Sequence, residues 1–210
     1  MPERLLLATR NKGKVRELRA LLLGTGIDVT DLTEFPGVSL PAETGSTFAE
    51  NALLKAKAAA SGAGMWALAD DSGLEVEALG GAPGVRSARY AGEDATDQQN
   101  NELLLQRLAG VPEERRGARF VSAVALCGPS GQCMVREGYC SGVVARAPRG
   151  SGGFGYDPLF YVPAEGMTYA ELPAPRKNEI SHRARALLAI RQDIVDRLAP
   201  ERAHADRHRK

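Results

Sequence analysis

No stretch of this chain approaches the ~18 consecutive apolar residues that a membrane span needs. The apolar part of the N-terminal Met-Pro-Glu-Arg-Leu-Leu-Leu-Ala-Thr-Arg is too short for a signal peptide. A soluble cytoplasmic protein with no membrane partner is the expectation. An excess of one charge is missing too: 27 Lys and Arg stand against 26 Asp and Glu, a formal +1. With no global field, a nucleic-acid polymer is not an expected partner, and phosphate recognition must come from local groups. Cysteine is scarce. Cys127, Cys133 and Cys140 are odd in number and match neither a metal-ligand spacing nor a disulfide framework, so they are expected as core or half-buried thiols in a reducing compartment. Internal repeats and low-complexity blocks are absent, which leaves an ordinary globular chain whose 210 residues suffice for one large or two small lobes.

What is present is organised around residues 67–92. Trp66, Ala67, Leu68 and Ala69 read as the end of a buried strand, which puts Asp70 and Asp71 where strand gives way to a Ser72-Gly73 turn. Ligands in open α/β sheets bind beyond strand ends. Adjacent carboxylates there can hold a hard divalent cation, and one of them can take a proton from an attacking water. A solvated turn is the competing reading, because Asp, Ser and Gly favour turns for local reasons.

Elsewhere, Leu5 to Ala8 form a short buried-strand run, followed by Thr9-Arg10-Asn11-Lys12-Gly13-Lys14 and then Val15, Leu18, Leu21 and Leu22 at helical spacing. Backbone amides, the Thr9 hydroxyl and the Asn11 amide in such a turn can face an anion, with Lys12 and Lys14 adding charge. The glycine pattern is not that of a Walker A loop, and a capped helix with exposed lysines would look the same. Residues 27–32 suit a second strand. Thr47 with Glu50 marks a capping box for a helix whose narrow apolar face includes Ala52, Leu53, Ala56 and Ala60. Glu43 stands before that cap, free to face a cleft, while Lys55 and Lys57 point to different sides of the helix. Residues 97–108 suit a further helix, and residues 116–127 and 132–145 a hairpin turning at 128–131, the basis of a second, antiparallel lobe. Residues 149–158 carry four glycines around Phe154 and Tyr156, either of which could stack on a base or anchor the turn. Lys177, His182 and Arg183 cluster at the start of a helix bearing Ile180, Leu187, Ile190, Ile194 and Leu198. The polar tail, residues 200–210 with His204 and His208, is expected to be disordered.

In this order and spacing, the segments Thr9–Lys14, Glu43-Thr44-Gly45 through Phe48, Glu50-Asn51-Ala52 with Lys55-Ala56, and Asp70-Asp71-Ser72-Gly73-Leu74 closely resemble the Ham1-type (RdgB-type) inosine triphosphate pyrophosphatases, which act on noncanonical purine triphosphates. So do Gly80–Gly84 with Ser87-Ala88-Arg89-Tyr90, Gly152–Pro158, and Lys177-Asn178 with Ile180–Arg183; the resemblance covers roughly residues 4–198. It implies an elongated mixed α/β sheet with flanking helices and two lobes around a central cleft, within one domain of residues 1–199, usually a homodimer. It implies Mg²⁺-dependent hydrolysis of ITP, dITP and XTP to the monophosphate and pyrophosphate. By the resemblance Asp71 is the proton acceptor and a metal ligand, Glu43 the second metal-associated acid, and Asp70 a support. It places Thr9, Arg10, Asn11, Lys12, Gly13, Lys14 and Ser72 on phosphates and sugar, with Lys55 also on the substrate. Phe154, Gly155, Tyr156, Asp157, Lys177, His182 and Arg183 fall around the base. Donors in that pocket favour a 6-keto purine over adenine, because unpaired buried donors are penalised. The competing readings are a Maf-type pyrophosphatase, which would lack the Ser-His-Arg cluster, and a regulator that binds a purine triphosphate without cleaving it.

Overall fold

The structure is a computed structural model and describes residues 3–199; the tail expected to be disordered, residues 200–210, lies outside them. In chain order the elements are β1 (Glu3–Leu7), α1 (Lys12–Leu21), β2 (Ile27–Asp31), α2 (Phe48–Ala63), β3 (Ala67–Val76) and α3 (Asp97–Arg107). There follow β4 (Gly117–Cys127), β5 (Cys133–Val144), β6 (Phe160–Val162), β7 (Met167–Thr168), α4 (Ala174–Ile180) and α5 (His182–Leu198). Seven strands make one mixed sheet in the order β2-β1-β3-β4-β5-β6-β7. Strand β1 runs parallel to both β2 and β3, whereas β5, β6 and β7 pair antiparallel, as the α/β expectation required.

The chain divides into two compact units. The first runs through Asp71 and adds Ala123–Glu137 and the chain from Ala186 onward; the second comprises Ser72–Ser122 and Gly138–Arg185. Each has its own core. In the first, Leu5 and Leu7 of β1 meet Val15 and Leu18 of α1, Leu68, Val124 and Leu126, and Ile190 and Ile194 of α5. In the second, Leu74, Leu104, Phe120, Val144, Phe160 and Tyr169 pack together. Each such side chain contributes roughly 1.5–3 kcal/mol of burial.

Several expectations are corrected. Asp70 to Gly73 form no turn: they lie in the middle of the ten-residue β3, where sheet pairing overrides the local preference of Asp, Ser and Gly. Cys127 and Cys133 are not separate thiols but a disulfide, with Cα atoms 4.2 Å apart. They end β4 and begin β5 on either side of a turn closed by the Gly128 amide on the Gln132 carbonyl, and that hairpin register brings them together. Cys140 is a buried free thiol, as expected. Thr47 caps α2 through the Glu50 amide, but the Glu50 carboxylate returns to the Ser46 amide and hydroxyl rather than to the cap residue. Finally, the C-terminal basic cluster spans two helices: Ser181 is extended, ends α4, and accepts from the Ala184 amide at the start of α5. Lys177 therefore sits in the last turn of α4, where its charge suits the helix dipole.

Candidate active site

Helix α2 carries the centre of the first unit. Its alanine stripe, Ala52, Ala56, Ala59 and Ala60, is buried and brings the helix backbone close to the core. One turn apart on the same helix, Asn51 and Lys55 reach Asp71. Lys55 Nζ donates to Asp71 Oδ1 at 2.9 Å and to Glu43 Oε1 at 2.8 Å. Asn51 Nδ2 donates to Asp71 Oδ2 at 3.2 Å, and Asn51 Oδ1 accepts from the Gly45 amide at 2.7 Å. The loop bearing Glu43 is thus tied to the residue that orients Asp71. Burial, reinforced by the nearby charge of Glu43 and opposed by Lys55 and Asn51, pushes the Asp71 carboxyl up to about 6. Burial disfavours the Lys55 charge as well, but the two carboxylates outweigh it and raise its pKa. On the same strand, Asp70 is paired with Lys14 at 2.7 Å.

The Thr9–Lys14 turn caps helix α1, the alternative that its sequence leaves open. Asn11 Oδ1 caps α1 by accepting from the amides of Gly13 and Lys14, and the Asn11 amide donates to Thr9 Oγ1 at 3.1 Å. These three amides are committed within the turn, which also carries the charges of Arg10, Lys12 and Lys14. Lys12 rests on Asp31 at 2.8 Å with most of its side chain in solvent, and Arg10 is exposed.

In the second unit, Ser72 Oγ donates to Ser122 Oγ at 2.9 Å. Of the expected base-side residues, Phe154, Asp157 and Lys177 are joined directly. Asp157, buried, accepts from the Phe154 amide at 2.9 Å and from Lys177 Nζ. Lys177 Nζ lies 5.1 Å from the Phe154 ring centre and 5.3 Å from that of Tyr169. His182 stacks on Phe120 at 4.8 Å, with Arg183, half-buried, beside it in sequence. Burial separates the two aromatics: Tyr156 is buried with its hydroxyl on the Ser87 carbonyl, while Phe154 is 64% exposed. Asp97 and Asn101 of α3 hold the Gly155 backbone from both sides, through its amide and its carbonyl.

Sequence reasoning gave no role to Asn51, Ser122, Asp97 or Asn101. For Asn51 a signal exists: it is a polar side chain beside the buried alanine stripe, fully enclosed. A buried amide needs partners, and the partners here are Gly45 and Asp71.

Among the described residues no group of three or more His, Cys, Asp or Glu is placed to hold a metal. Magnesium does not require one, since it is bound through one or two carboxylates with waters and substrate phosphates completing its shell. Glu43 and Asp71 supply hard oxygens brought together on one ammonium, and the three groups together carry a net negative charge that suits a divalent cation. The residues present fit the ion.

The model of the Ham1 family matches residues 5–193. A dITP/XTP pyrophosphatase of Desulforamulus reducens is 54% identical over 195 residues, covering 93% of this chain and 96% of its own. One from Yersinia pseudotuberculosis is 54% identical over 196 residues, 92% of this chain and 99% of its own. Among solved structures, a HAM1 protein from Coxiella burnetii superposes with a TM-score of 0.87 at 43% identity, covering 92% of this chain and 99% of that one.

Proposed function

The chain belongs to the Ham1 family, and from that premise we propose that it hydrolyses dITP, ITP and XTP to the monophosphate and pyrophosphate, clearing deaminated purines from the nucleotide pool. The observation that carries the reading is the placement of two carboxylates, Glu43 and Asp71, on the single ammonium of Lys55.

Attack of water at the α-phosphorus needs a base, charge neutralisation on the phosphates and a fixed geometry. Asp71 is the base. A carboxyl pushed up to about 6 is more basic than an exposed one yet ionised at neutral pH. Its two oxygens are gripped from different sides by Lys55 and Asn51, which fixes the direction in which it takes the proton. Glu43 and Asp71 are the residues that would hold Mg²⁺, which supplies charge neutralisation on phosphate oxygens and a site for water. Lys12 and Lys14 serve the phosphates, and the exposed Phe154 ring stacks on the base while Lys177, His182 and Arg183 present donors to a 6-keto purine. By the same family reading the enzyme is a cytoplasmic homodimer.

The test is a product assay with ITP, XTP, GTP and ATP, with and without Mg²⁺, scoring pyrophosphate apart from orthophosphate. Metal-dependent pyrophosphate and IMP from ITP, with ATP nearly untouched, is the expected result. Orthophosphate with IDP would mean attack at the γ-phosphorus, and tight ITP binding without product would mean a sensor rather than an enzyme.

A further inference from the structure

The second unit contains a cavity of about 410 Å³ whose lining includes Arg116, Arg146, Arg149, Tyr161 and Glu113, none of them part of the groups described above. Its volume lies within the span of small-molecule sites. Three guanidinium groups around one cavity are an electrostatic liability unless anions meet them.

Arg116 is 2% exposed. Its Nε donates to the Val144 carbonyl at 2.8 Å, Nη1 to Leu108 at 2.8 Å and Nη2 to Ala145 at 3.1 Å. These three bonds leave further N–H donors on the guanidinium and do not neutralise it, for no carboxylate among the described residues forms an ion pair with it. Burial and the like charge of Arg146 lower its pKa, and the Glu113 carboxylate in the same lining offsets them only in part, so positive charge remains in excess around the cavity. Arg146 is exposed and has no hydrogen-bond or ion-pair partner among the described residues. Arg149 lies over the Tyr161 ring at 4.9 Å and only 3.5 Å from Glu171, a loose pair.

The segment that carries the latter two arginines is fixed. The Ala145 amide donates to the Leu159 carbonyl, the Arg149 amide to Pro158, and the Arg149 carbonyl accepts from Thr168 Oγ1 at 2.8 Å. The charges are therefore presented on a pinned backbone, which lowers the ordering cost of capturing a ligand. The Tyr161 face is already covered by Arg149, so the cavity offers no free ring on which a base could stack. Guanidinium forks pair bidentately with phosphate and carboxylate oxygens, and several cations around one cavity suit the multiple charge of a phosphate-class ligand.

We propose that the Arg116–Arg146–Arg149 cavity binds a phosphate-class oxyanion, through residues that are none of those assigned to the nucleotide. The enclosed guanidinium of Arg116 supplies fixed charge at the back, and Arg146 and Arg149 close on the anion from the rim.

The experiment is thermal unfolding of the full chain, free of metal, with inorganic phosphate and then pyrophosphate added, for the wild type, Arg146→Gln/Arg149→Gln and Lys14→Gln. Arg146 and Arg149 are exposed, so the double variant folds, and each protein is read against its own midpoint without anion. At a hundredfold excess over Kd, the anion should raise the wild-type Tm by about 5 °C or more. Lys14→Gln should keep most of that shift and the double variant should lose it, with at least tenfold weaker phosphate binding in calorimetric titration. An equal shift in the wild type and the double variant, or no shift in any of the three, overturns the proposal. Pyrophosphate giving the larger shift through the same two arginines would identify a site for the longer oxyanion.

Discussion

Asn51 holds Asp71: its side-chain nitrogen lies 3.2 Å from Oδ2 of the carboxylate while its oxygen takes the Gly45 amide. It joins the loop of Glu43 to the base and acts on the reaction through the carboxylate that it orients. Asn51→Leu keeps the bulk but removes the partner of the Gly45 amide and of Asp71 Oδ2 in a buried site, a loss of about 1–3 kcal/mol in stability. Turnover should fall by about 10–100-fold, the usual effect of removing a group that orients a catalytic ligand. Steady-state kinetics with ITP measures this, and an unchanged kcat would remove Asn51 from the machinery.

Lys55 bridges Glu43 and Asp71 through one ammonium. Lys55→Met leaves the carboxylates facing each other, and breaking a buried pair costs about 3–5 kcal/mol. Adding Asp71→Asn to that variant should restore part of the loss, because the repulsion disappears with the second charge. Denaturant midpoints at pH 8 test the cycle; simple additivity of the two losses would contradict the pairing.

A pH effect follows from Asp31. Its hydrogen bond from Lys12, with a further one from Thr33, holds the carboxyl at about 2 instead of 3.8. A depressed carboxyl stabilises the fold at pH values above its unfolded pKa and stops doing so as pH falls through its folded one. The advantage of wild type over Asp31→Asn is therefore full above about 4 and fades between 3.8 and about 2. Equilibrium unfolding of both proteins at pH 6 and at pH 2.5 should show the gap closing; a gap of constant size would refute it.

Two neighbouring substitutions should separate strain from recognition. Gly153 has φ 77°, and a Cβ there would stand 2.0 Å from Asp157 Oδ2, the atom that anchors Phe154 and Lys177. Gly153→Ala should lower Tm and raise KM for ITP together. Phe154→Ala removes an exposed ring and should leave Tm alone while raising KM about tenfold, the scale of one lost base-stacking contact. If both variants move Tm equally, Phe154 is an anchor and not a stacking face.

The elements were legible where one local signal dominated. The run from Leu5 to Leu7 marked β1, Thr47 marked the start of α2, and the glycine-rich turn at 128–131 marked the hairpin of β4 and β5. The Asp-Asp-Ser-Gly stretch was misread because its composition favours a turn, while its conformation is set by neighbouring strands in the sheet. The Cys127–Cys133 bond was invisible to residue counting, since it depends on which residues face each other across the hairpin. Among the candidate site residues, Asp71, Glu43 and Lys177 take their roles from the resemblance to the Ham1-type enzymes. The division of labour between Phe154 and Tyr156 needed burial, and the capping duty of Asn11 needed the positions of two amides.

The grip of α2 on Asp71 also limits how this chain can vary in length. Residues 51 and 55 are four apart and meet opposite oxygens of one carboxylate, so the helical repeat itself sets the spacing of the two prongs. Inserting or deleting a residue between them would rotate one prong by about 100° and shift it by about 1.5 Å along the axis. Both contacts could not then be made at once. Insertions after Gly64, where a left-handed residue ends the helix, leave the prongs in phase. Length changes among homologues of this chain should therefore avoid residues 51–55 altogether.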